Sequence, residues 1–186
     1  MSRGRVVIPQ RVRIYLGCEG QSEQSYGRRL SEIADARGLH LYFDNDVLQP
    51  GGGDPLALVE LAVRRIEQRK RLRGDFRHRA LLLDGDKLGQ APGRDGRIAA
   101  LVRENRLYLI WQRPCHEGFL LRHFAGQASR EPQSAELAIR ELKKLWPEYA
   151  KPMAAGRMAE HIHGEAIERV CVCEPEFRAF LRLLGF

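Results

Sequence analysis

The chain has 186 residues, with 31 Lys and Arg against 24 Asp and Glu, a formal net charge of +7, 44% hydrophobic residues and four cysteines. That length suits one domain with an apolar core of its own, and the basic balance favours polyanionic partners. No segment approaches the roughly 18 apolar residues of a membrane-spanning helix, and Met1–Gln10, with Arg3 and Arg5, lacks the apolar stretch of a signal peptide. The expectation is a cytoplasmic protein, not membrane-bound, whose cysteines are reduced thiols rather than a disulfide framework.

In chain order, Val12, Ile14 and Leu16 alternate within Arg11–Gly17 and predict a strand. Tyr26, Leu30 and Ile33 at helical spacing predict a helix over 22–37, stopped by Gly38. Leu39–Asp44 reads as a second strand, and Pro50-Gly51-Gly52-Gly53 as a loop. Asp54-Pro55 is a helix start, with a capping carboxylate and proline at the first position, followed by the buried stripe Leu56, Val59, Val63 and Ile66. Ala80–Leu83 is a short apolar run ending in Asp84, as a central parallel strand buried on both faces requires. A helix over 96–105 leads to a strand at Leu107–Trp111. Beyond Pro114 the pattern is helical, over 117–124, 134–145 and 176–184. In the last of these, Phe177, Phe180, Leu181 and Leu184 form an apolar stripe, either core or a docking face. Cys171 and Cys173 read as one face of a short extended segment. With His161 and His163 they are also a candidate zinc set, although each pair has a narrower gap than structural zinc sites use.

Strands alternating with helices imply an α/β fold, a central parallel sheet of about four strands flanked by helices and joined by right-handed crossovers. The single domain divides into a core over 12–125 and a mainly helical extension over 126–186. Ligands of such sheets bind outside the carboxyl ends of the strands. Glu19-Gly20 ends one predicted strand there and Asp84-Gly85-Asp86 ends another. Carboxylates at one edge supply hard oxygen ligands suited to Mg²⁺ or Mn²⁺, and so to phosphate chemistry. Glu23, one turn into the following helix, either faces the same pocket or complements the helix dipole. Lys87 either touches phosphate or softens the repulsion between carboxylates. Arg64, Arg65, Arg69, Lys70, Arg71, Arg73, Arg77 and Arg79 outnumber Glu67 and Asp75, and form either a phosphate track or a solvated face. Gly51-Gly52-Gly53 is followed by no Gly-Lys-Ser or Gly-Lys-Thr, so a Walker-type nucleotide site is not supported.

The pairing of Glu19 with Asp84-Gly85-Asp86 resembles the Toprim domain of type IA topoisomerases, bacterial primases and OLD-family nucleases. The segment Arg113-Pro114-Cys115-His116-Glu117-Gly118-Phe119-Leu120-Leu121-Arg122-His123-Phe124 looks like the Asn-Pro-Cys-Phe-Glu-x-Trp-Leu-Leu-x-His-Phe signature of RloB-like proteins, compact Toprim proteins associated with restriction and phage defence. Arg113, His116 and Phe119 depart from it. Cys18-Glu19-Gly20-Gln21-Ser22-Glu23 and Tyr149-Ala150-Lys151 resemble two further elements of that family. The resemblance implies a Toprim (Rossmann-like) fold in which Glu19, Asp84 and Asp86 hold Mg²⁺ or Mn²⁺, with Glu23 and Glu117 completing a second position. It implies that Lys151 neutralises charge on the phosphate, and that His123 either assists proton transfer or packs structurally. The implied activity is metal-dependent hydrolysis of phosphodiesters in DNA or RNA in antiviral defence, together with a separate ATPase partner. The alternative is a non-catalytic subunit that binds nucleic acid or the ATPase, with the acidic cluster as a structural metal site. The target nucleic acid and the oligomeric state are open.

Overall fold

The computed structural model describes residues 10–48 and 53–186. The predicted glycine loop lies outside the described residues except for Gly53. Among the described residues twelve elements follow one another as β1 (Val12–Cys18), α1 (Gln21–Ala36), β2 (Leu41–Val47), α2 (Pro55–Arg73), β3 (His78–Asp84), α3 (Pro92–Glu104), β4 (Tyr108–Gln112), α4 (His116–Leu121), α5 (Ala135–Leu145), α6 (Ala155–Met158), α7 (Gly164–Cys173) and α8 (Pro175–Leu184). The four strands form one sheet in the order β2-β1-β3-β4, and every pairing is parallel. The architecture is the α/β layout expected from the alternation of elements.

Both faces of the sheet are covered, and the period-2 geometry of strands divides the core accordingly. Ile14, Leu16, Cys18, Ala80, Leu82 and Ile110 pack on one side with α1 and the C-terminal helices. Tyr15, Leu81 and Leu83 face the other side, against Leu58, Val59, Ala62 and Ile66 of α2 and Ile98 of α3. Burying each large aliphatic side chain stabilises the fold by ~1.5–3 kcal/mol. The helical extension is not a separate layer: Leu142, Trp146, Met158, Ile162, Phe177 and Phe180 belong to the same cluster as Ile14 and Leu16.

The start of α2 matches its sequence. Asp54 Oδ1 accepts from the backbone N–H groups of Leu56 (3.0 Å) and Ala57 (3.2 Å), and Pro55 opens the helix. The second strand begins at Leu41 rather than Leu39, because the Leu39 N–H still bonds Ala34 O of α1. It also runs past Asp44 to Val47, despite the low strand propensity of Asp and Asn. Arginines from α2 compensate: Arg69 bonds both Asp44 and Asp46, and Arg65 bonds Asp46 at 2.7 Å. The third helix starts at Pro92, earlier than the predicted 96. Cys171 and Cys173 are not in an extended segment. They close α7, a helix whose buried stripe is Ala166, Ile167 and Val170. Among the described residues no helix is long and apolar enough to cross a membrane.

Candidate acidic site at the carboxyl edge of the sheet

The parallel register brings the two acidic motifs together. Cys18 pairs with Leu82 across β1 and β3, and Glu19 N–H bonds Leu82 O at 3.1 Å, so Glu19 emerges beside the end of β3. Its Oε2 accepts the Asp84 N–H at 2.9 Å. Asp84 Oδ1 in turn accepts the His116 N–H at 2.8 Å, tying the end of β3 to the start of α4. Gly85 N–H extends the ladder to Gln112 O at 2.8 Å. A Cβ on Gly85 would lie 3.0 Å from Arg113 Cγ and 3.3 Å from Gln112 O, so the close approach of the two strand ends favours glycine.

Glu23 is buried, with 5% exposure, and both readings of it meet in one side chain. Its Oε2 closes the start of α1 by accepting Gly20 N–H at 2.9 Å, while Oε1 lies 3.8 Å from His116 Nδ1. Glu117 is fully buried in the first turn of α4. Its Oε1 receives Lys151 Nζ at 2.6 Å and the Tyr149 hydroxyl at 2.7 Å, and its Oε2 receives the Cys115 thiol at 3.2 Å. A Cβ on Gly118 would stand 2.5 Å from Arg113 O, so this glycine lets the 113–115 turn fold directly onto α4 and holds Glu117 at the site. Asp86 is exposed. Lys87 donates to Gly53 O at 2.9 Å.

The electrostatics follow from burial and crowding. Burial pushes the Asp84 carboxyl up to about 8, and the neighbouring Glu19, Glu23 and Glu117 push the same way against Lys151. Glu19 is also raised by burial, with Glu23 and Asp86 adding to it and the Asp84 N–H and Lys87 opposing. Glu117 goes the other way: burial would raise it, but the bonds from Lys151 and Tyr149 outweigh burial and hold it below the usual carboxylate range. Burial pushes the Cys115 thiol up to about 12, so it is a donor here and not a thiolate nucleophile.

Two buried histidines flank the cluster. His123 Nδ1–H bonds the Phe119 carbonyl at 3.1 Å, leaving Nε2 to accept from the Tyr26 hydroxyl at 3.0 Å. Burial lowers this imidazole to about 3, and it packs at right-angled contacts with Tyr26 and Phe119, a structural role without proton transfer at neutral pH. His116 Nδ1 accepts from the Gln112 side-chain amide at 2.9 Å. Among the described residues its buried Nε2 and the buried Gln112 Oε1 have no hydrogen-bond partner. Gln112, Cys115, His116 and Tyr149 were not singled out as site residues from the sequence. Gln112, Cys115 and His116 sit on or beside the turn between β4 and α4 and Tyr149 follows α5, and only the family resemblance, through Cys115 and Tyr149, offered a signal.

The basic run does not gather at this edge. Arg65 and Arg69 are engaged with Asp44 and Asp46, Lys70 and Arg79 with Asp75. Arg64, Arg71, Arg73 and Arg77 are exposed. The end of α2 and the start of β3 lie at the amino edge of the sheet. The seven residues of β3 thus separate Lys70, Arg71, Arg73 and Arg77 from Asp84 by about 20 Å. Arg113, exposed beside Gly85, is a guanidinium the structure does place at the acidic edge. The zinc set does not form: His161 packs against Trp146 (4.7 Å between ring centres) and Phe124 (5.1 Å). Among the described residues no group of three or more His, Cys, Asp or Glu side chains is gathered as a ready-made metal cage.

The class that fold and site define is a parallel α/β protein carrying a carboxylate cluster at the carboxyl edge of its sheet. Comparison with protein-family models, with curated proteins and with solved structures finds no match.

Proposed function

We propose that the chain is a metal-dependent phosphodiesterase of the Toprim, RloB-like kind, hydrolysing DNA or RNA in antiviral defence and working with a separate ATPase. The observation that carries this reading is the charge imbalance at one sheet edge. Glu19, Glu23, Asp84, Asp86 and Glu117 stand against Lys87, Lys151 and the exposed Arg113, and burial, reinforced by the neighbouring carboxylates, lifts Asp84 to about 8. A divalent cation is the partner that relieves such an imbalance, and carboxylate oxygens are the donors that Mg²⁺ and Mn²⁺ prefer. The residues that would hold it are Glu19, Asp84 and Asp86, the first two being braced by the Asp84 and His116 backbone N–H groups. Glu23 and Glu117 border the same pocket, with Glu117 already neutralised by Lys151.

When bound, such a cation supplies Lewis-acid polarisation of a phosphoryl oxygen and an activated water. The protein's own contribution is positioning and charge. Lys151, half-exposed while anchored on Glu117, presents its remaining N–H donors at the rim, where they would meet a phosphate oxygen. Lys87 and Arg113 lie on the same edge. A nucleic acid would reach the exposed Arg71, Arg73 and Arg77 only by extending along the full length of β3.

The alternative is a non-catalytic subunit that binds nucleic acid or the ATPase, with the acidic cluster as a structural metal site. Cleavage of single-stranded DNA, duplex DNA and RNA in Mg²⁺ or Mn²⁺, with and without a candidate ATPase, separates the two. The nuclease reading expects Glu19→Gln and Asp84→Asn to lose on the order of a hundredfold in rate. Metal binding without cleavage of any substrate would leave the binding-only reading.

A further inference from the structure

The C-terminal helices enclose a half-open cavity of about 360 Å³, built from the end of α1, α7 and α8 and sharing no lining residue with the carboxylate cluster. Its floor is apolar: Ile167 and Leu181 are each 2% exposed, and Phe186 packs on the same core cluster. Its rim is cationic. Arg37 comes from the cap of α1, and Arg178 and Arg182 stand one turn apart on α8.

These guanidiniums are poorly compensated. Among the described residues Glu168 is the only acidic side chain in the lining. It is 74% exposed and reaches only Arg37, at 3.8 Å. An exposed pair at that distance contributes little, since water screens it. Neither Arg178 nor Arg182 forms an ion pair or a side-chain hydrogen bond among the described residues. Cys171 adds a half-buried thiol to the wall. Burial raises that thiol above its ordinary range, so it stays protonated and is no counter-anion for the arginines.

Chemistry narrows the occupant. A purely apolar molecule would cover the floor but leave the half-buried Arg178 unpaired beside it. A bare inorganic anion would pair with the arginines and leave the floor wet. Guanidinium forks match carboxylates in bidentate geometry, and the size and mixed lining are those of a small-molecule pocket. We propose that this cavity binds a small amphiphilic anion, an aliphatic carboxylate whose head group pairs with Arg178 and Arg182 and whose chain lies on Ile167, Leu181 and Phe186. The inference stands independently of the acidic site.

Isothermal titration of the full chain with octanoate, and separately with the uncharged octanol, tests it. Octanoate is expected to bind saturably and about tenfold or more tightly than octanol. The paired variant Arg178→Glu with Arg182→Glu is expected to lower octanoate affinity by a similar factor. Val172→Asp, at a lip residue 76% exposed, places a like charge at the entrance without disturbing a buried group and is expected to weaken octanoate in the same direction. Octanoate should also slow alkylation of Cys171 in a Cys173→Ser background. Equal affinity for octanoate and octanol, unchanged binding in both charge variants, unprotected Cys171, or no saturable heat with octanoate would each overturn the proposal.

Discussion

Replacing Asp84 with Asn should make the metal-free protein more stable, and by more at neutral than at acidic pH. Asn keeps the acceptor that takes the His116 N–H at 2.8 Å and needs no proton, whereas burial and the neighbouring Glu19, Glu23 and Glu117 oblige Asp84 to bind one on folding. An aspartate in the unfolded chain titrates near 3.9, whereas Asp84 in the fold sits at about 8. The folded state therefore binds the proton more tightly, and the stability it confers is complete below about pH 4 and is lost as pH rises toward 8. Between pH 5 and pH 7 the wild type should lose about 2 kcal/mol through this one group. For a chain of this size that corresponds to a fall of ~4–8 °C in Tm relative to Asp84→Asn. Urea unfolding of both proteins in a chelator at the two pH values measures the difference directly. If Asp84→Asn gained the same amount at both pH values, or were the less stable protein at pH 7, the account of a crowded, proton-binding carboxylate would fail.

Four further outcomes follow from other parts of the fold. Lys151→Met leaves Glu117 buried with only the Tyr149 and Cys115 donors, and should cost ~1–3 kcal/mol, less than a fully buried pair because Lys151 is half-exposed. Thermal melts should show Lys151→Met with Glu117→Gln losing less than Lys151→Met alone. Arg69→Met, which strips a partner from Asp46 (4% exposed), should destabilise by ~2–4 kcal/mol. By contrast, Arg71→Glu with Arg73→Glu should leave melting within ~0.5 kcal/mol, because both are exposed. If those two arginines track phosphates, that pair should also flatten the salt dependence of nucleic-acid binding. Gly118→Ala forces its Cβ against Arg113 O and should destabilise by ~1–3 kcal/mol, with a matching loss of any metal affinity at the acidic edge.

The sequence by itself determined what depends on neighbours along the chain. Alternation in Val12, Ile14 and Leu16, the apolar run Ala80–Leu83 and the Asp54-Pro55 helix start are local signals, and each became the element it announced. They suffice to deliver Glu19 and Asp84 to one edge, because the carboxyl ends of parallel strands in one sheet all lie at the same edge. Only the tertiary structure decided which charges meet. Asp44 and Asp46 extend β2 because Arg65 and Arg69 reach them from α2, and that engagement removes these arginines from a free basic face. Glu117 is paired with Lys151 across a long connection and stays ionised, while Asp84, buried beside other carboxylates, holds its proton toward pH 8. Local pattern carries no information about such pairings: a carboxylate's partner, its burial and hence its affinity for protons are set by segments distant in sequence and brought together by the core.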